Sequence, residues 1–276
     1  MAESPNITHS PSSGKTLENP LWACFCLVLV VFTIVALWIG WSGAILDENP
    51  FLASTVNDIR QLSVALESFK TKYAVYPPSR ILLANDRNEY KGERKSSLDH
   101  LSAIWPRLKW DEKIDWSGGV PGFKSAKLEG DQCLVYFLNG PRGEGFSTNP
   151  ANPTSSGGRR AGPFFEFAEN RLVHRVKGNA FSSYKDGYGK NVYAYFCGRS
   201  PGKYSTDCPS LKVAPYYKKE SDPVRYYHQN TFQIISAGMD GIFGPGGAWS
   251  PESAAEDAGK HGADDLSNFH GELLGK

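Results

Sequence analysis

Six histidines, five cysteines and a set of aspartates near the C-terminus are the side chains of this sequence from which chemistry could be built. The histidines, His9, His100, His174, His228, His261 and His270, show no zinc-ligand spacing. There is no Gly-x-Ser-x-Gly elbow and no Cys-His signature, so the common nucleophilic hydrolase arrangements find no support. Glu166 and Glu169 are close in sequence, but spacing alone does not make an acid–base pair. Gly157-Gly-Arg-Arg160 lacks the Lys-Ser/Thr that completes a phosphate loop. The sequence reads as a non-enzyme. Cys197 and Cys208 bracket a short polar loop, residues 198–207, which a disulfide could close in an oxidising compartment. Cys133 lies in an apolar stretch and reads as a buried thiol. Asp240, between Gly238 and Gly241, sits where the chain can turn sharply and direct carbonyls inward.

The elements that must position these groups begin with an uncharged apolar run, residues 21–46. As a helix it would span roughly 39 Å, more than the roughly 30 Å hydrocarbon core of a bilayer. An uncleaved transmembrane helix over residues 20–47 is predicted; a cleaved secretory signal is the competing reading, disfavoured by the length of the run and the lack of a basic n-region. Lys15 precedes the run and Asp47-Glu48 follow it. The positive-inside rule therefore places a disordered tail, residues 1–19, in the cytoplasm and the remainder outside it, in a single-pass topology; the resemblance described below implies that the membrane is an inner membrane and the head periplasmic. Trp38 and Trp41 suit an interfacial belt at the outer end. Cys24 and Cys26 lie within the run as apolar fillers. The near-neutral net charge of +1 gives no reason to expect nucleic acid as a partner.

Asn49-Pro50 supplies an N-cap and a proline suited to the first helical position, and the same proline interrupts any helix continuing from the membrane. Leu52, Val56, Ile59, Leu62, Leu66, Phe69 and Tyr73 then recur at spacings of three and four, with Asp58, Arg60, Glu67, Lys70 and Lys72 mostly between them. This predicts an amphipathic stalk helix over residues 49–76, stopped by Pro77-Pro78. A charge run at residues 91–95 reads as a solvated loop, and Leu98, Leu101, Ile104, Trp105 and Leu108 as a short second helix. Strand-like runs follow at residues 133–138, 164–167, 192–196 and 231–236, separated by Gly, Pro, Ser and Asn clusters. Residues 79–276 are thus expected to form a loop-rich α+β head.

Several of these segments resemble the major pseudopilin of type II secretion and the wider type IV pilin-like family. Residues 58–78, Asp-Ile-Arg-Gln-Leu through Tyr-Pro-Pro, are similar to the helix end of that family, which closes with a tyrosine-proline element. Asp186-Gly-Tyr-Gly-Lys-Asn resembles its Asp-x-Trp-Gly-x-Pro motif, with Tyr188 in place of Trp. Ser236-Ala-Gly-Met-Asp-Gly241 and Asp264-Asp-Leu-Ser-Asn268 resemble its Ser-x-Gly-x-Asp-Gly loop and terminal Asp-Ile-x-Asn segment. Residues 133–141 and 162–167 look like the enlarged heads of pseudopilin-like proteins in planctomycete-type bacteria. The resemblance covers about a third of the chain, in the expected order.

It implies a pilin-like fold, with an N-terminal helix packed on a small antiparallel sheet, and a structural role in a secretion or pilus-like assembly. The implied partners are other pilin-like subunits and secretion-system membrane components. It also implies calcium in the C-terminal loop, held by the side chains of Asp240 and Asp264 or Asp265 and the carbonyls of Ala237 and Leu266. The hard-oxygen chemistry is suitable; a Gly-Asp turn that bonds only its own backbone is the alternative. A glycine-rich insertion, residues 245–263, separates the two halves. Two departures stand out. The family's processing site before the apolar run survives only as Gly14-Lys15 in a distorted Gly-Lys-Thr-Leu-Glu, and the basic leader that should precede it is missing. A permanently anchored module that binds a glycan, peptide or secretion partner, using surface tyrosines such as Tyr216, Tyr217, Tyr226 and Tyr227, is therefore the second reading.

Overall fold

The computed structural model describes residues 49–111, 113–175, 180–198, 204 and 207–276. The expected tail, membrane span, Gly14-Lys15 site and kink at the span's outer end lie outside these residues. Among the described residues no helix is long and apolar enough to cross a membrane. Residues 49–276 form one compact unit, an α+β fold whose described residues make several small sheets and four helices.

Helix α1, Pro50–Tyr73, starts as the sequence predicts: the Asn49 side chain accepts a hydrogen bond from the Phe51 N–H, and Pro50 occupies the first turn. It ends three residues before the predicted limit. Ala74 adopts a left-handed conformation and its N–H bonds back to the Lys70 carbonyl at 2.7 Å, so the chain has already turned when the extended preference before Pro77 takes hold. The apolar stripe is buried through Ile59, Leu62, Leu66 and Phe69.

This stripe packs on a three-stranded antiparallel sheet ordered β11-β9-β7, built from β7 (Ala194–Cys197), β9 (Phe232–Ser236) and β11 (Leu266–Ser267). Register pairs Tyr195 with Ile234 and Leu266 with Ser236. Tyr193, Tyr195, Phe232, Ile234 and Leu266 join the helix in one core, while Ala194, Phe196 and Ile235 point to a second core on the opposite face. Burial of both faces explains why β7 reads as a continuous apolar run and why Ile234 and Ile235 of β9 are both buried rather than alternating in and out.

The rest of the unit wraps around this centre. Strands β1 (Ile81–Ala84) and β2 (Ser125–Leu128) pair antiparallel, with α2 (Lys95–Ile104) between them in sequence. The charge run at residues 91–95 leads directly into α2, whose burial falls on Leu101 and Ile104. The apolar run at residues 133–138 is not a strand; it lies within α3, Gly130–Asn139, whose N-terminus carries a Glu129–Gln132 capping box. Residues 164–167 form bends, with Phe165 and Phe167 packed on Tyr184. Three short pairs complete this region: β3 (Phe146–Ser147) with β4 (Arg160–Ala161), and β5 (Leu172–Val173) with β6 (Ser183–Tyr184), are antiparallel, whereas β8 (Tyr216–Lys218) runs parallel to β10 (Gly247–Trp249). The glycine-rich insertion is thus ordered: it holds β10 and a helical segment α4, Ala254–Gly262, kinked at Gly259.

Candidate functional site

The C-terminal loop is assembled from three chain segments that meet at the end of β9. The first is the turn before β7, where buried Asp186 accepts from the Ser236 hydroxyl at 2.7 Å and from the Gly189 N–H at 3.0 Å. Burial raises its carboxyl above the usual carboxylate range, against these hydrogen bonds, which favour the charged form. The second segment is residues 236–244. The third returns after the insertion, because Gly244 and Gly262 lie back to back: a Cβ on Gly244 would come within 2.7 Å of the Gly262 Cα. No residue with a side chain would allow that approach, and it is what brings Asp264 alongside Gly238.

Of the residues assigned to the loop by resemblance, Asp240 and Asp264 come together directly: the Asp240 N–H donates to Asp264 Oδ2 at 2.7 Å. Asp240 itself accepts from the Ile242 N–H at 2.7 Å and lies 2.8 Å from His261 Nδ1, a partner the sequence did not suggest. Asp265 is fully buried. One of its oxygens accepts from the Gly244 N–H at 2.9 Å, and the other has no hydrogen-bond partner among the described residues. Its carboxyl is pushed up to about 8: burial is the main cause, the Gly244 N–H opposes it, and the charges of Asp264, Asp240 and Asp186 add to it. Ala237 is buried, and Leu266 lies in the β11 ladder beside Ser236. Asn268 closes the assembly by accepting from the Ile234 N–H at 2.9 Å and donating to the Phe232 carbonyl at 3.1 Å.

The donor chemistry suits a hard cation, and the orphaned oxygen of Asp265 is the feature a cation would satisfy. As placed, however, Asp240 and Asp264 are turned to backbone N–H groups and His261. Among the described residues no three His, Cys, Asp or Glu side chains converge to hold a metal. The loop closes by its own hydrogen bonds.

Asp265 gives this loop a pH signature. An exposed aspartate in the unfolded chain titrates near 3.9, so between about pH 4 and 8 the folded state holds a proton that the unfolded state has lost. Stability then falls as pH rises across that window, by at most about 1.4 kcal/mol per pH unit, and levels off above it. Denaturant melts in chelator are expected to show this slope, and Asp265→Asn, which mimics the protonated carboxyl, is expected to flatten it. Equal slopes in the two proteins would refute the assignment.

Two other expectations are revised. Cys197 and Cys208 form no disulfide: the Cys208 thiol donates to the Tyr195 carbonyl at 3.4 Å, and burial pushes its pKa far up. Much of the loop they bracket lies outside the described residues. Of the four tyrosines read as surface aromatics, Tyr216 is fully buried, Tyr217 packs against Tyr226, and Tyr227 stacks on Phe269 with ring centroids 4.8 Å apart. The polar group that sequence reasoning missed is Asp58, which is buried in the α1 stripe. It accepts from Arg171 Nη2 at 2.5 Å and from the Tyr193 hydroxyl at 2.9 Å.

These features define an α+β head in which an N-terminal helix is docked on a three-stranded antiparallel sheet and the sheet's end is closed by an aspartate-rich loop. No protein-family model, curated protein or solved structure matches the chain.

Proposed function

We propose that the chain is a membrane-anchored, pseudopilin-like structural subunit of a type II secretion or type IV pilus-like assembly. The observation that carries this reading is the position of α1. It begins at Pro50, four residues after the apolar run ends at Leu46, and it buries its stripe in one core with the antiparallel sheet β11-β9-β7, the end of the stripe at Phe69 and Tyr73 meeting Phe137 and Phe164. Such an arrangement couples an anchor in the inner membrane to a rigid periplasmic head. The role is mechanical: the apolar segment holds the subunit and later packs with other such segments, and the C-terminal loop fixes an edge used in subunit contact. Calcium belongs to this reading as a ligand of Asp240, Asp264 and Asp265 with the carbonyls of Ala237 and Leu266, and it would supply charge neutralisation there. The melts described above, repeated in millimolar calcium, would then rise and lose their pH slope.

The permanently anchored binding module is the second reading, favoured by an open cleft of about 1000 Å³ beside Lys218, Arg225 and Tyr227. The two readings separate on the N-terminal residue of the protein recovered from native membranes, read by intact mass and terminal peptide analysis. A start at Lys15 is expected for a processed, filament-forming subunit. A start upstream of Gly14 would overturn assembly by processing and favour the anchored module.

A further inference from the structure

Six large apolar side chains are exposed among the described residues, and three of them, Phe51 at 55 %, Met239 at 57 % and Ile242 at 50 %, stand on segments packed together at the N-terminal end of α1. Apolar side chains scattered singly over a surface need no explanation, whereas a cluster marks a contact. The turn at residues 186–191 builds this one. On one side it is pressed against the first turn of α1: a Cβ on Gly187 would come within 2.5 Å of Thr55 Oγ1 and 2.9 Å of the Phe51 carbonyl oxygen, and the Tyr188 and Phe51 ring centroids are 6.2 Å apart. On the other side it holds the loop that carries Met239 and Ile242. Lys190 Nζ donates to the Met239 carbonyl at 2.7 Å, and the Asn191 side-chain amide donates to the Gly241 carbonyl at 3.0 Å.

The apolar run ends close to this face along the chain. Phe51 stands five positions after Leu46, at most about 18 Å of fully extended backbone. We propose that in the membrane-resident subunit the head rests on the lipid surface through this face, with Phe51, Met239 and Ile242 entering the boundary between headgroups and acyl chains. Such docking rests on the reading of residues 21–46 as a membrane span, and holds whether or not the subunit later enters a filament. Tyr188, half-buried, and the exposed Lys190 suit the headgroup level, which accommodates both a ring with a polar tip and a long apolar stem with a charged head. Charge does not drive the contact. Asp47 and Glu48 just before α1, and Asp240 beside Met239, outnumber Lys190, so the lipid is zwitterionic and the attraction comes from apolar area. Tethering by the span makes docking an intramolecular event, for which a small patch suffices.

The test uses the full chain in phosphatidylcholine vesicles that include phosphatidylcholine with a photoactivatable diazirine near the top of its acyl chain, irradiated, digested and read by mass spectrometry. Label is expected in the apolar run, which reports insertion, and on Phe51, Met239 and Ile242. It should be absent from Val64, about 20 Å further along α1, and from Val120 and Val224, although these too are exposed. Phe51→Ser, Met239→Ser and Ile242→Ser combined should lose the head label, keep the label in the run and leave Tm nearly unchanged, since all three side chains are exposed. Adding phosphatidylserine should not strengthen the head label. Label in the run with none on the three residues would overturn the docking and leave the pseudopilin reading standing, whether or not amine crosslinks at Lys190 show a second copy on this face instead. No label in the run would overturn the span, and the docking with it. Equal label on Val64, Val120 and Val224, or an undiminished head label in the triple variant, would also overturn the proposal.

Discussion

Asp58→Ala is expected to destabilise the head, residues 49–276, by about 3–5 kcal/mol, the usual cost of removing one partner of a buried ion pair. Asp58 sits on the buried side of α1, where its carboxylate accepts from the Arg171 guanidinium and the Tyr193 hydroxyl. Arg171 is held in place from several directions. It donates twice to the Lys185 carbonyl, at 3.1 and 2.6 Å, and lies over the Tyr184 ring with its central carbon 4.3 Å from the centroid. Burial acts to lower the Arg171 pKa, but the hydrogen bond and charge of Asp58 outweigh it, so the net shift is upward. Without Asp58 the guanidinium remains largely covered, and the Tyr193 hydroxyl, at the start of the central strands, loses its acceptor. A domain whose stability is about 5–15 kcal/mol would lose a large share of it, and Tm should fall on the order of 10 °C. The cost comes from the stranded partners, so Asp58→Leu combined with Arg171→Met should recover much of the loss. Denaturant melts of the single and double variants measure both effects. A loss below about 1 kcal/mol in Asp58→Ala would mean that the pair behaves as a surface salt bridge.

The burial of Asp58 was legible from spacing, since it stands three residues after Thr55 and four before Leu62, both buried on the same stripe. Its charge led to its assignment to the solvent face, because sequence alone names no partner 113 residues away. Helix α1 itself, its N-cap, and strands β7 and β9 follow from residue pattern, because burial and turn chemistry there agree. The run at residues 133–138 shows where pattern fails: an apolar stretch of six fits a buried strand or a buried helix equally. The deciding signal lay just outside it, in Glu129 and Gln132, which cap a helix. Helix α4 was hidden for another reason. Gly259 breaks it with a non-helical φ of +69°, Gly262 passes against Gly244, and Asp257 ties its first turn to Lys219, Ser250 and Ser253, none of which an apolar pattern announces. The approach of Asp240 to Asp264 came from family resemblance, not from spacing, since the two stand 24 positions apart with the insertion between them. The burial of Asp265 beside its half-buried neighbour was not legible at all: of two adjacent aspartates, the one just before β11 is turned inward to the Gly244 N–H, a partner 21 residues away.

Gly238→Ala is expected to open the C-terminal loop and cost several kcal/mol, on the order of 3–5, for two separable reasons. The residue has φ of +63°, a left-handed conformation that costs a side-chain-bearing residue about 1–2 kcal/mol. The second reason is the larger. A Cβ at this position would lie 2.0 Å from the Asp264 carbonyl oxygen and 2.5 Å from its carbonyl carbon. Both are backbone atoms, so no rotamer change relieves the contact, and either residues 236–240 or residues 264–268 must move away. Moving either one breaks the Asp240–Asp264 hydrogen bond and strains the pairing of β11 with β9. Asn268 and the closure of the sheet edge depend on that pairing. Gly189→Ala isolates the first contribution, because that glycine also has a positive φ, +71°, but nothing lies within 4 Å of an added Cβ; it should cost only the backbone strain. Gly271→Ala, with open space around it, serves as a blank. Hydrogen exchange separates the outcomes spatially: Gly238→Ala should lose protection in residues 264–276 and at the end of β9 while α1 and α3 keep theirs. If Gly238→Ala costs no more than Gly189→Ala, the two segments are not in the close contact described, and the loop cannot act as a fixed edge for subunit assembly.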